Sequence, residues 1–329
     1  MEKTMIAGIT YDLKDDYLKE GFSEEESAEF DRLSTIDAID NAIKKAGIKT
    51  ERIGNVKSLI KQIASGKRWD FVFNITEGMY GIGREAQVPA ILDAYGIPYT
   101  FSDPLVLSLC LHKGMTKRVV RDLKIPTPDF AEVSSPEDVE KIKLPFPLFA
   151  KPVAEGTSKG INANSKITTK AELKKVCVNL LKKFKQPVLV ETYLPGREFT
   201  VGIIGSGKNS RAIGTLEVFL NDNAEMEAYS YSNKQNFETL VEYSAAKGKI
   251  AQQCERTALQ VWRGLNCRDA GRVDIRLDKK GIPSFIEVNP LAGLNPDISD
   301  LPILCSLVKF PYQKLIEHII KSTIKRIKK

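Results

Sequence analysis

The first third of the chain alternates short apolar runs with segments of helical periodicity. Residues 5–10 and 69–75 are apolar enough to be buried strands. Between them, isoleucines recur at helical spacing over residues 36–46, and a further helix is predicted over residues 88–95. Strands that alternate with helices are typical of βαβ units and a parallel sheet. The pattern therefore predicts an α/β N-terminal domain with a parallel sheet over residues 1–103.

The pattern changes after residue 103, where prolines separate shorter elements. Residues 149–153 read as a strand, residues 155–160 as a glycine-bearing loop and residues 170–185 as a basic helix. The later predicted elements are strands at 188–194, 198–204, 213–219, 272–277 and 284–288, and a helix at 249–264. This pattern predicts an α+β region with antiparallel strands after residue 103.

Composition places the chain among ordinary globular proteins. Of its 329 residues, 42% are hydrophobic and 28% are charged, which excludes a disordered or collagen-like chain. The net charge of +7 hints at an anionic partner. However, the charge is unevenly spread, because residues 1–40 are rich in carboxylates and residues 309–329 are rich in lysine. Apolar residues at helical spacing over 315–327 predict a docked amphipathic end helix rather than a membrane or nucleic-acid tail.

Cysteine usage and the chain start indicate the compartment. The five cysteines are dispersed and form no CxxC pair, so neither a disulfide framework nor a zinc site is predicted. No signal-peptide pattern precedes residue 12, and no apolar run approaches the roughly 20 residues that a membrane span requires. We expect a cytoplasmic protein with no membrane partner. His112 and His318 are both interpreted as structural.

Two clusters carry chemistry suited to a nucleotide, although each has a simpler interpretation. In KPVAEGTSKG, the lysine at position 151 and the small-residue loop after it offer an ammonium and backbone N–H groups to phosphate oxygens. The spacing is not that of a P-loop, and a plain β-hairpin remains an alternative. In VLVETYLPGRE, Glu191 at the end of the strand could accept a hydrogen bond from an adenine amino group, and Glu198 could accept hydrogen bonds from ribose hydroxyls. The alternative is two strands with solvated acids.

A third cluster points to a metal ion. It comprises GRVD at 271–274 and FIEVNPLAG at 285–293. On alternating strands, Arg272 and Asp274 share one face, as do Glu287 and Asn289. Carboxylate and amide oxygens suit Mg²⁺, and close carboxylates repel unless a cation lies between them. Surface acids balanced by local lysines are the alternative.

Together these clusters resemble the ATP-grasp superfamily, and within it the D-alanine–D-alanine ligase group. The first is similar to the group's phosphate loop, the second to its adenine-and-ribose strands, and the third to its metal and catalytic strands. GIPYT followed by LCLHK at 109–113 resembles the junction that carries a second nucleotide-binding lysine. The resemblance covers roughly residues 70–300. It implies that the α/β domain is followed by a two-part α+β ATP-grasp nucleotide-binding module, with a central subdomain at residues 104–186 and a C-terminal subdomain at residues 187–329.

The resemblance also implies roles for individual residues. ATP would be bound by Lys113, Lys151, Glu155, Ser158, Glu191, Leu194 and Glu198. Two Mg²⁺ ions, with Mn²⁺ as a substitute, would be held by Asp274, Glu287 and Asn289. Arg272 and the Gly293 backbone would contact the transferred phosphoryl group and the tetrahedral oxyanion. Lys234 matches a phosphate-contacting lysine on a mobile loop, and Glu29 is a loose match for the amine-binding acid.

The implied activity is ADP-forming ligation of a carboxylate to an amine through an acyl phosphate. Several positions on the substrate side depart from the group's pattern. The group's His-Gly motif is Glu77-Gly78 here, its first loop serine is Thr157, and the serine expected after the metal strand falls at Ile298. We therefore expect substrates other than two D-alanines.

Two other functional classes remain open at this stage. One is an ATP-grasp kinase that stops at a phosphorylated product. The other is a non-catalytic nucleotide- or nucleic-acid-binding protein, although no nucleic-acid-binding module is recognisable and no nucleic-acid partner is expected. The expected partners are small-molecule carboxylate, amino acid and amine substrates. A homodimer is common in the resembled group.

Overall fold

Three parallel strands form the centre of the N-terminal domain. The structure, a computed structural model, describes residues 4–220 and 241–327. The strands are β1 (Ile6–Thr10), β2 (Lys49–Gly54) and β3 (Phe71–Asn74), arranged in the order β2-β1-β3. Both pairings of β1 are parallel, which confirms the parallel sheet predicted from the alternating pattern.

Helices cover this sheet and lead out of the domain. They are α1 (Lys14–Lys19), α2 (Leu33–Lys45), α3 (Val56–Ala64), α4 (Gln87–Ala94), α5 (Pro104–Leu111) and α6 (Lys113–Asp122). On α2, the isoleucines at helical spacing are buried against β1 and β3. His112 lies between α5 and α6, and its Nδ1 accepts a hydrogen bond from the Met115 backbone N–H, 3.2 Å away. This cap is a structural role of the kind expected for His112.

The central sheet has four antiparallel strands. They are β4 (Phe130–Val133), β5 (Leu148–Pro152), β6 (Lys166–Ile167) and β7 (Val188–Thr192), in the order β4-β7-β5-β6. The helix α7 (Lys170–Phe184) packs against β5, β6 and β7. Because β7 pairs with both β4 and β5, the sheet crosses the domain boundary predicted between residues 186 and 187.

The C-terminal sheet is also antiparallel, in agreement with the predicted α+β region. Its strands are β8 (Glu198–Ile204), β9 (Arg211–Leu220), β10 (Val241–Ala245), β11 (Ala270–Leu277) and β12 (Pro283–Asn289). Their order is β10-β9-β8-β11-β12. The accompanying helices are α8 (Gly248–Gly264), α9 (Asp300–Leu307) and α10 (Tyr312–Ile327). Short 3₁₀ turns occur at Arg84–Ala86, Pro136–Lys141, Ala163–Ser165 and Gly207–Asn209.

The end helix α10 packs on the first domain. Its apolar residues Leu315, Ile316, Ile319 and Ile320 are buried in the same core as β1, β3 and α2. Lys314, Lys321 and Lys325 of the same helix are exposed, on the face away from this core. The basic C-terminus is therefore a docked amphipathic helix.

Two further features of the described residues concern the cysteines and membrane-spanning helices. All five cysteines are buried free thiols. Across residues 4–220 and 241–327, no helix has both the length and the apolar character needed to cross a bilayer.

Candidate active site

Two adjoining cavities meet beside β11 and β12. One, of about 90 Å³, lies between the central and C-terminal sheets, and we call it the sheet cavity. The other, of about 210 Å³, lies between the N-terminal domain and the C-terminal sheet, and we call it the domain cavity. Thr157, Arg272 and Glu287 line both of them. A ligand in one cavity would therefore adjoin a ligand in the other.

The sheet cavity contains the residues predicted for adenine, ribose and phosphate. Its lining includes Lys151, Ser158, Glu191, Leu194 and Glu198. The antiparallel pairing of β5 with β7 brings the first and second sequence clusters side by side. Glu198 begins β8, where its carboxylate pairs with Arg276 at 3.4 Å.

Two buried lysines hold the Glu191 carboxylate. Lys117 Nζ lies 2.8 Å from one oxygen and Lys151 Nζ lies 3.0 Å from the other. Burial alone would raise the pKa of Glu191, but the two ammonium groups outweigh it and lower that pKa. Burial also lowers the pKa of Lys117 to about 8, despite the attraction of Glu191. Glu191 is therefore held as an anion in the wall of the sheet cavity.

The predicted metal residues lie together on β11 and β12. Asp274 is paired in register with Glu287, and Arg272 with Asn289. The Asp274 carboxylate contacts Arg272 and accepts a hydrogen bond from Thr200 Oγ1 at 2.8 Å. The pKa of Asp274 is nonetheless raised to about 6, first by burial and then by repulsion from Glu287 and Asp300.

This donor set fits a divalent cation. Within the described part of the chain, no three Asp, Glu, His or Cys side chains are arranged to hold a metal ion. The set instead combines two carboxylates with the Asn289 amide, all hard oxygen donors. Asp274 already has Arg272 as a cationic neighbour, and a bound Mg²⁺ would add positive charge beside Asp274, Glu287 and Asn289.

Lys113 lies at the junction of the two cavities. Its Nζ donates to the Glu155 carbonyl oxygen at 2.5 Å and lies 3.6 Å from the Glu287 carboxylate. It thus links the loop at 155–160 to the metal strands. Lys113 lines the domain cavity, whereas Lys151 lines the sheet cavity. The two lysines predicted to bind phosphate therefore lie on different sides of the junction between the cavities.

Glu29 fastens the 155–160 loop to the N-terminal domain. Its carboxylate pairs with Arg84 at 2.8 Å and with Lys159 at 3.0 Å, and it accepts from the Gly156 backbone N–H at 2.7 Å. Burial would raise the pKa of Glu29, but the two cations lower it to about 2. We call this cluster of Glu29, Arg84, Lys159 and Gly156 the loop anchor. The predicted amine-binding acid therefore already has two cationic partners.

Backbone geometry shows why the loop needs an anchor. Thr157 and Ser158 have φ angles of 50° and 57°, in the left-handed region that L-residues seldom adopt. Each such residue costs on the order of 1 kcal/mol. Contacts with Glu29 on one side of the strained pair offset that cost.

Gly293 follows β12 and lines the domain cavity. A Cβ at this position would come within 2.8 Å of Ser299 Oγ, so only glycine fits without a shift. Ser299 Oγ in turn accepts from the Asn295 backbone N–H at 3.1 Å. Gly293, Ile298 and Ser299 all line the domain cavity, so the departure at Ile298 lies in the wall of that cavity.

The structure brings together every predicted site residue within its described range. Lys234 lies outside the described residues, and its role stays a prediction. Sequence reasoning missed Lys117, Arg84 and Lys159. For Lys117 a signal existed, because it follows Lys113 by four residues and so extends from the same helix face. The anchoring role of Arg84 had no local signal, since its partner Glu29 is 55 residues away.

The chain is similar to ligases over most of its length. The family model described as D-ala D-ala ligase C-terminus matches residues 119–321. A D-alanine–D-alanine ligase of Aquifex aeolicus is 31% identical over 290 residues, which cover 88% of this chain and 94% of the relative. One from Bordetella avium is 30% identical over 288 residues, covering 86% of each chain. This chain belongs to the D-alanine–D-alanine ligase family.

Solved structures of the family share the whole architecture. The D-alanine–D-alanine ligase of Bacillus anthracis complexed with ATP superposes with a TM-score of 0.76 at 23% identity, over 99% of each chain. The VanG D-Ala:D-Ser ligase of Enterococcus faecalis gives 0.74 at 19% identity, over 98% of this chain and all of the other. The fold is therefore the ATP-grasp fold of the D-alanine–D-alanine ligase family, whose members are ATP-dependent ligases. The resemblance inferred from the sequence is confirmed.

Proposed function

We propose that this D-alanine–D-alanine ligase family member joins a carboxylate to an amine, converts ATP to ADP and proceeds through an acyl phosphate. The observation that carries the proposal is that the two cavities share Arg272 and Glu287. ATP in the sheet cavity would present its γ-phosphate at this junction. A carboxylate in the domain cavity would reach the same point from the other side.

The nucleotide contacts follow from the charges around the sheet cavity. Glu191 would accept from the adenine amino group, beside the Leu194 backbone, and Glu198 from the ribose hydroxyls. Lys113 and Lys151 would hold phosphate oxygens. Glu155 and Ser158 would belong to the loop that covers them, with Lys234 as a further phosphate contact from residues outside the described range.

The first chemical step brings two anions together. Two unit charges 4 Å apart repel by about 4 kcal/mol at an effective dielectric of 20. Arg272, fixed between Asp274 and Asp300, is positioned to reduce this repulsion without reorganising during the reaction. Mg²⁺ held by Asp274, Glu287 and Asn289 would neutralise phosphoryl charge. Loss of ADP leaves the substrate carboxyl as an acyl phosphate.

The second step needs an oxyanion site and protection from water. When the amine attacks the acyl phosphate, negative charge develops on the carbonyl oxygen, and Arg272 with the Gly293 backbone N–H would stabilise it. Phosphate then leaves and the amide remains. The loop anchor holds residues 155–160 over the junction, which would limit hydrolysis of the intermediate.

The substrate side supports a specificity other than two D-alanines. Glu77 stands where the resembled group has histidine, Ile298 stands where it has serine, and Glu29 is held in the loop anchor. A homodimer and a cytoplasmic location stay predictions, the latter motivated by five free buried thiols.

Turnover assays test the proposal directly. We expect ADP and phosphate release from Mg·ATP with some pair of amino acids or amines, together with a product whose mass equals the two substrates minus water. A stable phosphorylated product without amide would instead indicate a kinase. If no pair gives either product, the ligase proposal fails.

Substitution of a metal residue tests the assigned strands. Glu287→Gln should reduce ADP release at least 100-fold, because it removes charge at the junction. Glu242→Gln provides the control, since Glu242 is an exposed carboxylate on β10 of the same sheet. Equal activity of the two variants would contradict the metal assignment.

A further inference from the structure

Three carboxylates in the domain cavity have no cationic partner. Asp31, Glu77 and Glu85 all line this cavity from the N-terminal domain. None of the three takes part in a salt bridge within the described residues, and neither Glu77 nor Glu85 makes a side-chain hydrogen bond there. Asp31 has only the neutral Thr35 as a hydrogen-bond partner.

The cations nearest to Glu77 and Glu85 have other direct partners, whereas the exposed Arg32 lines the same cavity beside Asp31. Arg84 contacts Glu29 and donates to the Ala154 carbonyl oxygen at 2.7 Å. Lys159 lies between Glu29 and Glu155. Lys113 binds the loop carbonyl and faces Glu287. Among the described residues, Glu77 and Glu85 therefore have no ion pair, although Arg84 acts on the pKa of both and Lys113 on that of Glu85.

The pKa values of all three acids are raised above their usual range. Burial is the main reason that the pKa of Glu77 is raised, and repulsion from Glu85, Glu29 and Asp31 adds to it. Burial likewise raises the pKa of Glu85 to about 7, with Arg84 opposing the shift and Glu29 adding to it. Burial also raises the pKa of Asp31 to about 7. A cationic ligand would relieve all three groups at once.

The number of acids indicates the kind of ligand. Each ammonium group carries three N–H donors and one positive charge. One α-ammonium beside Asp31 would leave both Glu77 and Glu85 without a charge partner. Arg272 and Gly293, where a substrate carboxylate would react, belong to the C-terminal sheet on the opposite wall. The acids therefore face the part of a substrate that lies away from its reacting carboxyl group.

We propose that the domain cavity selects a diamino monocarboxylic acid, an amino acid with a second ammonium on its side chain, and that Glu77 and Glu85 bind that second ammonium. This inference rests on the proposed ligase function and specifies its carboxylate substrate. Glu29 then serves the loop, while Asp31, Glu77 and Glu85, which have no ion pair among the described residues, bind the amino groups of the substrate.

A substrate panel with a neutral isostere tests the proposal. ADP release would be measured for lysine, ornithine and norleucine, each as the D and the L enantiomer, with Mg·ATP. Norleucine matches lysine in length but lacks the second ammonium. We expect kcat/KM for the better diamino acid to exceed that of norleucine at least 100-fold, because a site built for a polar group rejects analogues that lack it. Equal or better turnover of norleucine overturns the inference.

Variants locate the effect in the two acids. Glu77→Gln and Glu85→Gln should each lower the preference for the diamino acid over norleucine at least 10-fold, with no change in the KM for ATP. The double variant should accept norleucine better than the original protein does. Glu20→Gln, an exposed acid after α1, is the matched control and should keep the original preference. An unchanged preference in the double variant overturns the assignment of these residues.

Binding measured by calorimetry separates this inference from the ligase proposal. If lysine or ornithine binds at least 10-fold more tightly than norleucine but no ADP forms, the inference stands and the ligase proposal fails. If neutral amino acids bind as well as diamino acids and are ligated, the ligase proposal stands and the inference fails.

Discussion

The loop anchor gives a sharp test of how the N-terminal domain controls the site. The perturbation is Glu29→Gln, which keeps the shape of the side chain and removes its charge. Glu29 and Arg84 are each 7% exposed, and Lys159 is 9% exposed, so all three charges are withdrawn from water. Loss of the carboxylate would leave two cations at a buried site.

The magnitude follows from the contact distances. At an effective dielectric of 20, unit charges separated by the observed 2.8 and 3.0 Å attract by about 6 kcal/mol per pair. Desolvation of each ion offsets several kcal/mol of this gain. Removing one partner of a buried pair costs about 3–5 kcal/mol. We expect about 3 kcal/mol, since Lys159 keeps Glu155 and Arg84 keeps the Ala154 carbonyl.

Urea unfolding and ADP release measure the two consequences. Glu29→Gln should lower the free energy of unfolding by about 3 kcal/mol, and it should lower kcat at least 10-fold because the strained loop is no longer held. The matched control is Glu25→Gln. Glu25 pairs with Lys183 at 2.6 Å, but the two side chains are 36% and 56% exposed. That exposed pair should contribute less than about 1 kcal/mol.

One result would refute this reasoning. If Glu29→Gln costs no more than Glu25→Gln and raises only the KM for a substrate, Glu29 is the amine-binding acid that the family resemblance implies. In that case the contacts with Arg84 and Lys159 do not determine loop position.

Three further changes have expected outcomes. Gly293→Ala should reduce ADP release at least 10-fold, because the added Cβ would come within 2.8 Å of Ser299 Oγ. Adding Ser299→Ala removes that oxygen and should restore part of the rate. If the double variant is no faster, a steric clash with Ser299 is not the cause. Glu85→Gln should match the original protein in stability near pH 4 and exceed it by up to about 3 kcal/mol above pH 7. The reason is that the Glu85 carboxyl ionises at pH 4.5 in the unfolded chain but only at a pKa of about 7 in the folded protein, so its charge destabilises the fold above that range. Urea unfolding at both pH values measures the difference. Arg326→Met should destabilise the protein by about 3–5 kcal/mol, because it leaves the fully buried Asp269 carboxylate without its cation, and a thermal midpoint within 2 °C of the original would contradict this.

Contiguous motifs explain what the sequence could predict. The strands β5, β7, β8, β11 and β12 are apolar runs with polar residues at fixed alternation, so both their existence and the faces of Asp274 and Glu287 followed from local spacing. The edge strand β2 was missed because its only buried residue is Ile53, and an edge strand needs little apolar character.

Contacts between residues far apart in the chain explain which features the sequence could not predict. Glu29 and Arg84 lie in different segments of the N-terminal domain, and Lys159 lies in another sheet's loop, so nothing local indicated that the three would meet. The hydrogen-bond partners of β7 are also distant in the sequence. β7 follows α7 directly, but its hydrogen bonds return to strands that come much earlier in the chain.

The docking of α10 has a consequence for how the chain folds during synthesis. Gln313 on this helix donates to the Ala42 carbonyl oxygen on α2, 271 residues earlier. The core of the first domain therefore lacks one wall until α10 has left the ribosome. Translation at about 5–20 residues per second leaves that wall absent for many seconds after β1 emerges. The core around β1 is therefore completed only after the two later sheets have been synthesised.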